Sequence, residues 1–482
     1  MTKKSLKLNA LLNGIKQACT ILFPLITFPY ISRALGNAGY GQYSWSRTIA
    51  NYFVLIAGLG VSTYAIREGA KIRDKKEQVT QFCSEVFSIN VVSTLLSFLA
   101  MIVLFIVSTK VRSYSLFVLI QSSAMFLATI GTDWVNNIYE DFLYITIRYI
   151  LVQLVCLILM FVFVRSSKDV AIYCLLATLA SYGGNLLNIF YVRKYVKFKF
   201  TFHMNIKEHL LPLLILFINS VAITIYVNSD ITMLGFYASD KIVGIYSFAS
   251  NIYNLIKMLI NAIIVVAIPR VAYILVKDKN QYSKILSDTF VMLTTILLPI
   301  AIGMAMLSKE IIVIAGGQQY LSGENVLQVL SIATIFAIYG SFYSNCVLIV
   351  HNEEKKCLIA TLISAGSNIG LNFILLPIFG MLGAAITTIF AEFVNCLMQL
   401  YFSRKYYSLK NVSKKDMLSV IISSVVVLII CYICKNIFLI LFERVIFTIL
   451  FSVLGYAVML YITQNSIMKS FVESLMKRIK HE

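Results

Sequence analysis

Apolar runs, each bounded by a short polar stretch, follow one another along the whole chain. They fall near 11–32, 47–66, 82–108, 115–134, 145–164, 170–192, 210–228, 243–267, 286–307, 324–349, 358–378, 381–401, 417–434 and 445–463. A helix of about 20 apolar residues spans roughly 30 Å of hydrocarbon, so the pattern predicts about fourteen membrane-spanning helices. The fold class read from the pattern is an all-α polytopic membrane protein. A loop is expected over 33–48, another over 229–242, and a basic one over 67–77.

Polar side chains interrupt several of these runs at helical spacing. Ser247, Asn251, Asn254 and Asn261 line one stripe of the 243–267 segment, with Lys257 close to the row. A lysine inside a membrane helix costs about 2.5–3.5 kcal/mol on insertion scales, so it faces protein or a watery cavity unless it snorkels. Two readings stand here: a wet cavity lined by the stripe, or asparagines that only join helices. Lys16 lies one turn inside the first segment, where snorkelling is the simpler account. Arg33 and Arg47 fall near the two ends of the 33–48 loop, at the outer ends of the first two helices, and Pro24 and Pro29 predict a bend before it. Asn219, Ser220, Thr224 and Asn228 recur in the 210–228 segment, with Asp230 near its outer end. Ser364, Asn368 and Asn372 repeat at intervals of four. Glu392 falls near the middle of the 381–401 segment and is either a proton carrier or one half of a structural pair.

Composition agrees with the pattern. Of 482 residues 59% are hydrophobic and 13% charged, against about a quarter charged in soluble domains, and the mean hydropathy is +0.83. The net charge of +19 invites a nucleic-acid reading, but most of the 41 Lys and Arg crowd into alternate loops. That asymmetry is the positive-inside rule, and it predicts cytoplasmic N- and C-termini. The N-terminus has no small-residue cleavage site and reads as an uncleaved first helix. Asp133, Glu140 and Asp141 are expected at the cytoplasmic interface, solvated. The four histidines, His203, His209, His351 and His481, fall in predicted cytoplasmic loops or the tail. Most of the nine cysteines lie in predicted helices and read as packing residues, and the lone C-x-x-C of Cys431 and Cys434 is a poor metal site. There is no H-E-x-x-H, G-x-S-x-G or P-loop, so no enzyme class is indicated and no metal is expected.

The chain also echoes itself. Gly41-x-Tyr43-Ser44 matches Gly244-x-Tyr246-Ser247, Leu35-Gly36 matches Leu234-Gly235, and Asn51 falls on Asn254. Arg193-Lys194-Tyr195 returns as Arg404-Lys405-Tyr406. A repeat of six helices keeps its orientation, so the halves should be related by an axis along the membrane normal. The expected organisation is a six-helix lobe over 1–198, a second over 199–410, and two further helices with a cytoplasmic tail over 411–482.

The stretches PYISRALGNAGYGQYSW, SDITMLGFYASDKIVGIYSFA, AIPR, the helix of Pro299 and Gly303, and NIGLNFILLPIFGMLGAAITTIFAE resemble the Wzx-type polysaccharide repeat-unit flippases of the MOP exporter superfamily. The resemblance implies a MATE-like pair of lobes that alternately open a central cavity. The implied substrate is an undecaprenyl-diphosphate-linked oligosaccharide, carried to the outer leaflet of a bacterial cytoplasmic membrane for O-antigen, capsule or exopolysaccharide synthesis. Lys16, Arg33, Arg47 and Lys257 are then candidates for the diphosphate, and Asn51, Asn251, Asn254 and Asn261 for sugar hydroxyls. Asp230 and Glu392 are candidates for H+ or Na+ coupling or for charge pairs, with no other cofactor. Membrane lipids and a polysaccharide polymerase with its chain-length machinery are the implied partners. A MATE-like cation or drug antiporter is the first alternative, although its cavity should favour carboxylates. A membrane glycan polymerase or ligase is the second, although it should carry a large outer loop.

Overall fold

A backbone amide finds no water in hydrocarbon, so apolar runs of this length must satisfy their hydrogen bonds within helices. The computed structural model, which describes residues 6–408 and 412–479, follows that rule. Helices succeed one another from Leu6 to Ile479, and no strand forms among the described residues. Twelve helices are long and apolar enough to cross a membrane. The first, Leu12–Ile72, holds two of the expected segments in 61 residues, and Ser115–Gly131 is a shorter apolar helix that supplies another. Every expected segment falls on one of these helices, so the number of crossings is close to fourteen. His481 lies outside the described residues.

Two expected loops are absent. Helix Leu6–Gly58 runs through 33–48 and breaks only at Gly36, whose φ of 69° and ψ of 173° are non-helical. Glycine enters that region without a Cβ clash, so one residue does what a sixteen-residue loop was expected to do. Arg33 and Arg47 therefore sit on helix. The second loop shrinks to 238–239, between helices Ile206–Tyr237 and Asp240–Lys277. Close packing explains both contractions. A Cβ added at Gly41 would lie 1.9 Å from the Asp240 carbonyl oxygen, and one at Gly244 would lie 1.8 Å from that of Asn37. The matching glycines of the internal echo thus face each other. Gln42 Nε2 donates to Asp240 Oδ2 at 3.0 Å, Tyr114 donates to the same carboxylate, and Trp45 Nε1 donates to the Thr232 carbonyl at 3.2 Å.

Contact density divides the chain into Met1–Gly244 and Ile245–Glu482. In the first unit, Val79, Phe82, Val86, Trp134, Val192 and Leu213 belong to one buried cluster. The nearby carboxylates are all paired, but only Asp141 is buried; Asp133 and Glu140 stay 38% and 40% exposed at their side chains, as expected of interfacial groups. Asp141 is buried and accepts from Tyr191 at 2.7 Å, Tyr195 at 2.5 Å and Lys194 at 3.1 Å. Asp133 pairs with Arg148 and Glu140 with Arg73, each at 2.6 Å. The bond from Glu140 holds the Arg73 guanidinium above its ordinary pKa. Hydroxyls and cations from neighbouring helices reach these groups, which sequence spacing does not disclose.

His209 is likewise no loop residue: it is 3% exposed. Its Nε2 lies 2.9 Å from Glu85 Oε2 and its Nδ1 2.7 Å from the Tyr64 hydroxyl. Gln81 and Asn205 donate to Glu85 Oε1 at 2.9 and 3.2 Å. Glu85→Ala leaves three donors without an acceptor. Orphaning a buried network of this kind costs on the order of 2–4 kcal/mol, so the purified variant should melt several degrees lower, with Glu85→Gln intermediate. Equal melting of Glu85→Ala and wild type would show that the network is not holding the structure.

The second unit is centred on Ile260, Leu286, Phe290, Leu297, Phe342 and Val347. A buried pair, Arg444 Nη1 to Glu310 Oε1 at 2.8 Å, ties the penultimate described helix, Leu441–Ile462, to the short helix Ser308–Gly316.

Candidate functional site

In the second unit, two residues that the sequence treats separately come together. Lys257 Nζ lies 3.4 Å from Glu392 Oε1, and Tyr253 donates to the same oxygen at 2.8 Å. The ammonium is also 3.3 Å from the Tyr253 hydroxyl and 4.7 Å from the centroid of its ring. Glu392 is 5% exposed at its side chain and Lys257 24%. A carboxylate sunk in the membrane thus has a cation and a phenol as partners, and the cation keeps one side open. Such a pair forms because either charge alone is expensive in hydrocarbon.

The asparagine row of helix Asp240–Lys277 divides. Ser247 is buried and Asn251 half-buried. Asn254 Nδ2 lies 3.5 Å from Ser250 Oγ on its own helix, and Asn261 accepts from Ser341 at 2.6 Å on helix Glu324–Phe342. Asn261 therefore joins helices. Asn372 does the same: it accepts from Thr387 at 2.7 Å, linking helix Glu354–Phe379 to Met381–Ser403, and donates to Asn368 on its own helix at 3.0 Å.

In the first unit, Arg47 lies within helix Leu6–Gly58 and its side chain is partly open at the surface. Its Nη1 donates to the Tyr43 hydroxyl at 2.6 Å, and Tyr40, Tyr43 and Tyr173 stand around it. The Tyr43 ring is 4.4 Å from Tyr173 and 6.0 Å from Tyr40. A guanidinium has five donors, so one bond to tyrosine leaves others for an anion. Arg33 is exposed on the same helix and Asn51 is half-buried one turn beyond Arg47. Lys16 is half-buried and lies 5.7 Å from the Tyr149 ring centroid, so it rests on an aromatic face. Asp230 is buried in helix Ile206–Tyr237, close to Tyr52.

Tyrosine is the participant that sequence reasoning passes over. Tyr43 precedes Arg47, and Tyr253 precedes Lys257, by four residues each, the spacing that stacks side chains on one helix face. The signal is present in the chain, diluted among 28 tyrosines. Among the described residues no group of three or more His, Cys, Asp or Glu could hold a metal ion.

Comparison with known proteins places this geometry. A family model described as polysaccharide biosynthesis protein matches residues 6–275. A protein of Escherichia coli (strain K12), named as a candidate O-antigen transporter, is 24% identical over 406 residues, which cover 83% of this chain and 97% of that protein. Among solved structures, the lipid II flippase MurJ in its inward closed conformation superposes with a TM-score of 0.75. It is 19% identical, with 96% of this chain and 99% of that one covered. An inward-facing multidrug resistance MATE family transporter of the MOP superfamily gives 0.60 at 14% identity, covering 79% and 94%. These structures share the fold: the all-α, MATE-like architecture expected from the sequence is the one observed. The match over 6–275 spans more than half the chain, and so this multi-pass membrane protein belongs to the polysaccharide biosynthesis protein family.

Proposed function

We propose that this chain is a flippase. It moves an undecaprenyl-diphosphate-linked oligosaccharide from the inner to the outer leaflet of a bacterial cytoplasmic membrane by alternating access. It is a transporter, not an enzyme. The observation that carries the reading is that tyrosine-backed cations, Arg47 in the first unit and Lys257 in the second, sit within membrane-crossing helices and each keep part of their surface open. A diphosphate and several sugars cannot cross about 30 Å of hydrocarbon unaided, and a cation of this kind offers a replacement for water around a phosphate. Arg33 and Lys16 extend the cationic set. Asn51, Asn251 and Asn254 supply amides for sugar hydroxyls, whereas Asn261 is engaged with Ser341.

Glu392 competes with any incoming anion for Lys257. A proton or Na+ arriving at Glu392 would release the ammonium, which makes this pair the coupling candidate, with Asp230 as a second. A MATE-like cation exchanger is the poorer reading, because the candidate charges with open surface are cationic and Glu392 is paired with Lys257.

Deletion of the gene, followed by identification of the accumulated lipid-linked glycan, tests the proposal. The expected result is an undecaprenyl-diphosphate oligosaccharide confined to the cytoplasmic leaflet, and unchanged surface glycan with no accumulation would refute it. Orientation is tested separately by cysteine labelling. Ala38→Cys should react with an impermeant maleimide from outside, and Asp74→Cys only after the membrane is opened. The reverse pattern would invert the topology. Both positions are exposed, and seven of the nine native cysteines are buried, so background labelling should be low.

A further inference from the structure

Where helices Lys76–Val107, Ser115–Gly131 and Gly184–Tyr191 meet at one end of the first unit, the chain continues as a non-helical stretch through 195–205. A groove of about 710 Å³ lies there, lined by Phe87, Ile130, Ile189, Arg193, Lys197 and Lys199, among others. The local sequence alternates, Val196-Lys197-Phe198-Lys199, and alternate residues of an extended chain face opposite ways. Val196 is accordingly buried, and Phe198 packs 4.9 Å from Phe87 and 6.4 Å from Trp134. Lys197 and Lys199 are exposed, as is Arg193. The stretch is anchored, since the Lys199 and Thr201 amides donate to Ser84 Oγ at 3.2 Å and Ser88 Oγ at 2.8 Å.

The charges at this end are unequally matched. Arg73 and Lys194 have Glu140 and Asp141, while Arg193, Lys197 and Lys199 form no ion pair among the described residues. Ile130 lines the groove and the Phe190 ring lies 5.7 Å from the Arg193 guanidinium; Phe126 and Leu186, one helical turn from each on the same two helices, are likewise exposed, and Phe190 is 72% exposed. On helices that cross a membrane, such a row meets acyl chains. The groove therefore joins three cations without a carboxylate partner among the described residues to an apolar track, which is the complement of an anionic amphiphile. Positive-inside bias explains charge at this end. It does not explain a groove whose other wall is phenylalanine and isoleucine.

We propose that this groove binds an anionic phospholipid of the adjoining leaflet, its phosphodiester between Arg193, Lys197 and Lys199 and its acyl chains along Ile130, Leu186 and Phe190. The apolar half of the lining selects a lipid over a free phosphate. The inference rests on membrane insertion alone and stands or falls apart from the transported substrate.

Native mass spectrometry of the full-length protein with equimolar phosphatidylglycerol and phosphatidylcholine tests it. Phosphatidylglycerol should be retained at least fivefold over phosphatidylcholine, and R193Q/K197Q/K199Q should bring the two to parity. R404Q/K405Q, which removes two cations elsewhere, should keep the preference. All of these side chains are exposed, so the variants should fold, and equal melting in phosphatidylcholine alone verifies this. Parity in the wild type, a preference that survives the triple substitution, or displacement of the lipid by equimolar glycerol 3-phosphate would each overturn the proposal.

Discussion

Gly41→Ala should leave little folded protein in the membrane. The new Cβ would sit 1.9 Å from the Asp240 carbonyl oxygen and 2.8 Å from the Gly244 amide nitrogen. Both atoms are backbone, at the start of helix Asp240–Lys277, so no side-chain rotation relieves the overlap. The two helices would have to separate by more than an ångström. That separation would stretch the Gln42, Tyr114 and Trp45 hydrogen bonds that hold Asp240 and Thr232. Overpacking in well-packed cores costs typically about 1–3 kcal/mol, occasionally more, and the rigidity of both partners places this case at the upper end. Gly303→Ala and Gly366→Ala are the controls, because a Cβ at either meets nothing within 4 Å. In a helix, alanine is about 0.8–1.0 kcal/mol more favourable than glycine, so these variants should be neutral or slightly more stable. Size-exclusion profiles of the solubilised proteins decide the matter: if Gly41→Ala is as abundant and monodisperse as Gly303→Ala, the close crossing is wrong.

Lys257→Met should eliminate transport and also weaken the fold, and the two effects can be separated. Removing the ammonium leaves Glu392 buried with Tyr253 as its remaining described partner. Breaking a fully buried pair costs about 3–5 kcal/mol, and the quarter exposure of Lys257 lowers this to roughly 2–3 kcal/mol. Glu392→Gln keeps an acceptor for Tyr253, so it should cost less. The double variant Lys257→Met with Glu392→Gln removes both charges and should recover most of the thermal midpoint. Transport should stay at least tenfold below wild type in the double variant, because the cation proposed to meet the diphosphate is gone. Recovery of transport together with stability would make Lys257 a structural partner of Glu392 and nothing more. Glu392→Gln alone should flatten the pH dependence of transport, and an unchanged profile would remove Glu392 from coupling.

These tests also mark how far the site was legible. Lys257 and Glu392 stand out in sequence because each is a charge inside an apolar run, and hydrocarbon makes that costly. Their pairing does not stand out: 135 residues separate them, and no local period connects the two helices. The asparagines illustrate the same limit. Spacing placed them on one stripe, but Asn261 turns out to receive Ser341, while Asn254 stays with its own helix. Interfacial charge misled in the other direction. Asp133, Glu140 and Asp141 seemed cheap to solvate; all three have a cationic partner, and Asp141 alone is also buried.

By itself the sequence determined the class, the number of crossings to a close approximation and the family. Each of these follows from a property that acts along the chain: the length of apolar runs against bilayer thickness, and the order of short motifs. The tertiary structure alone decided which polar residues meet, that Gly36 replaces a loop, and that His209 is buried against Glu85 and Tyr64. In a membrane the pattern of apolar residues fixes each helix nearly independently. Hydrogen bonds and ion pairs between helices depend on which faces come together, and that is a property of packing, not of period.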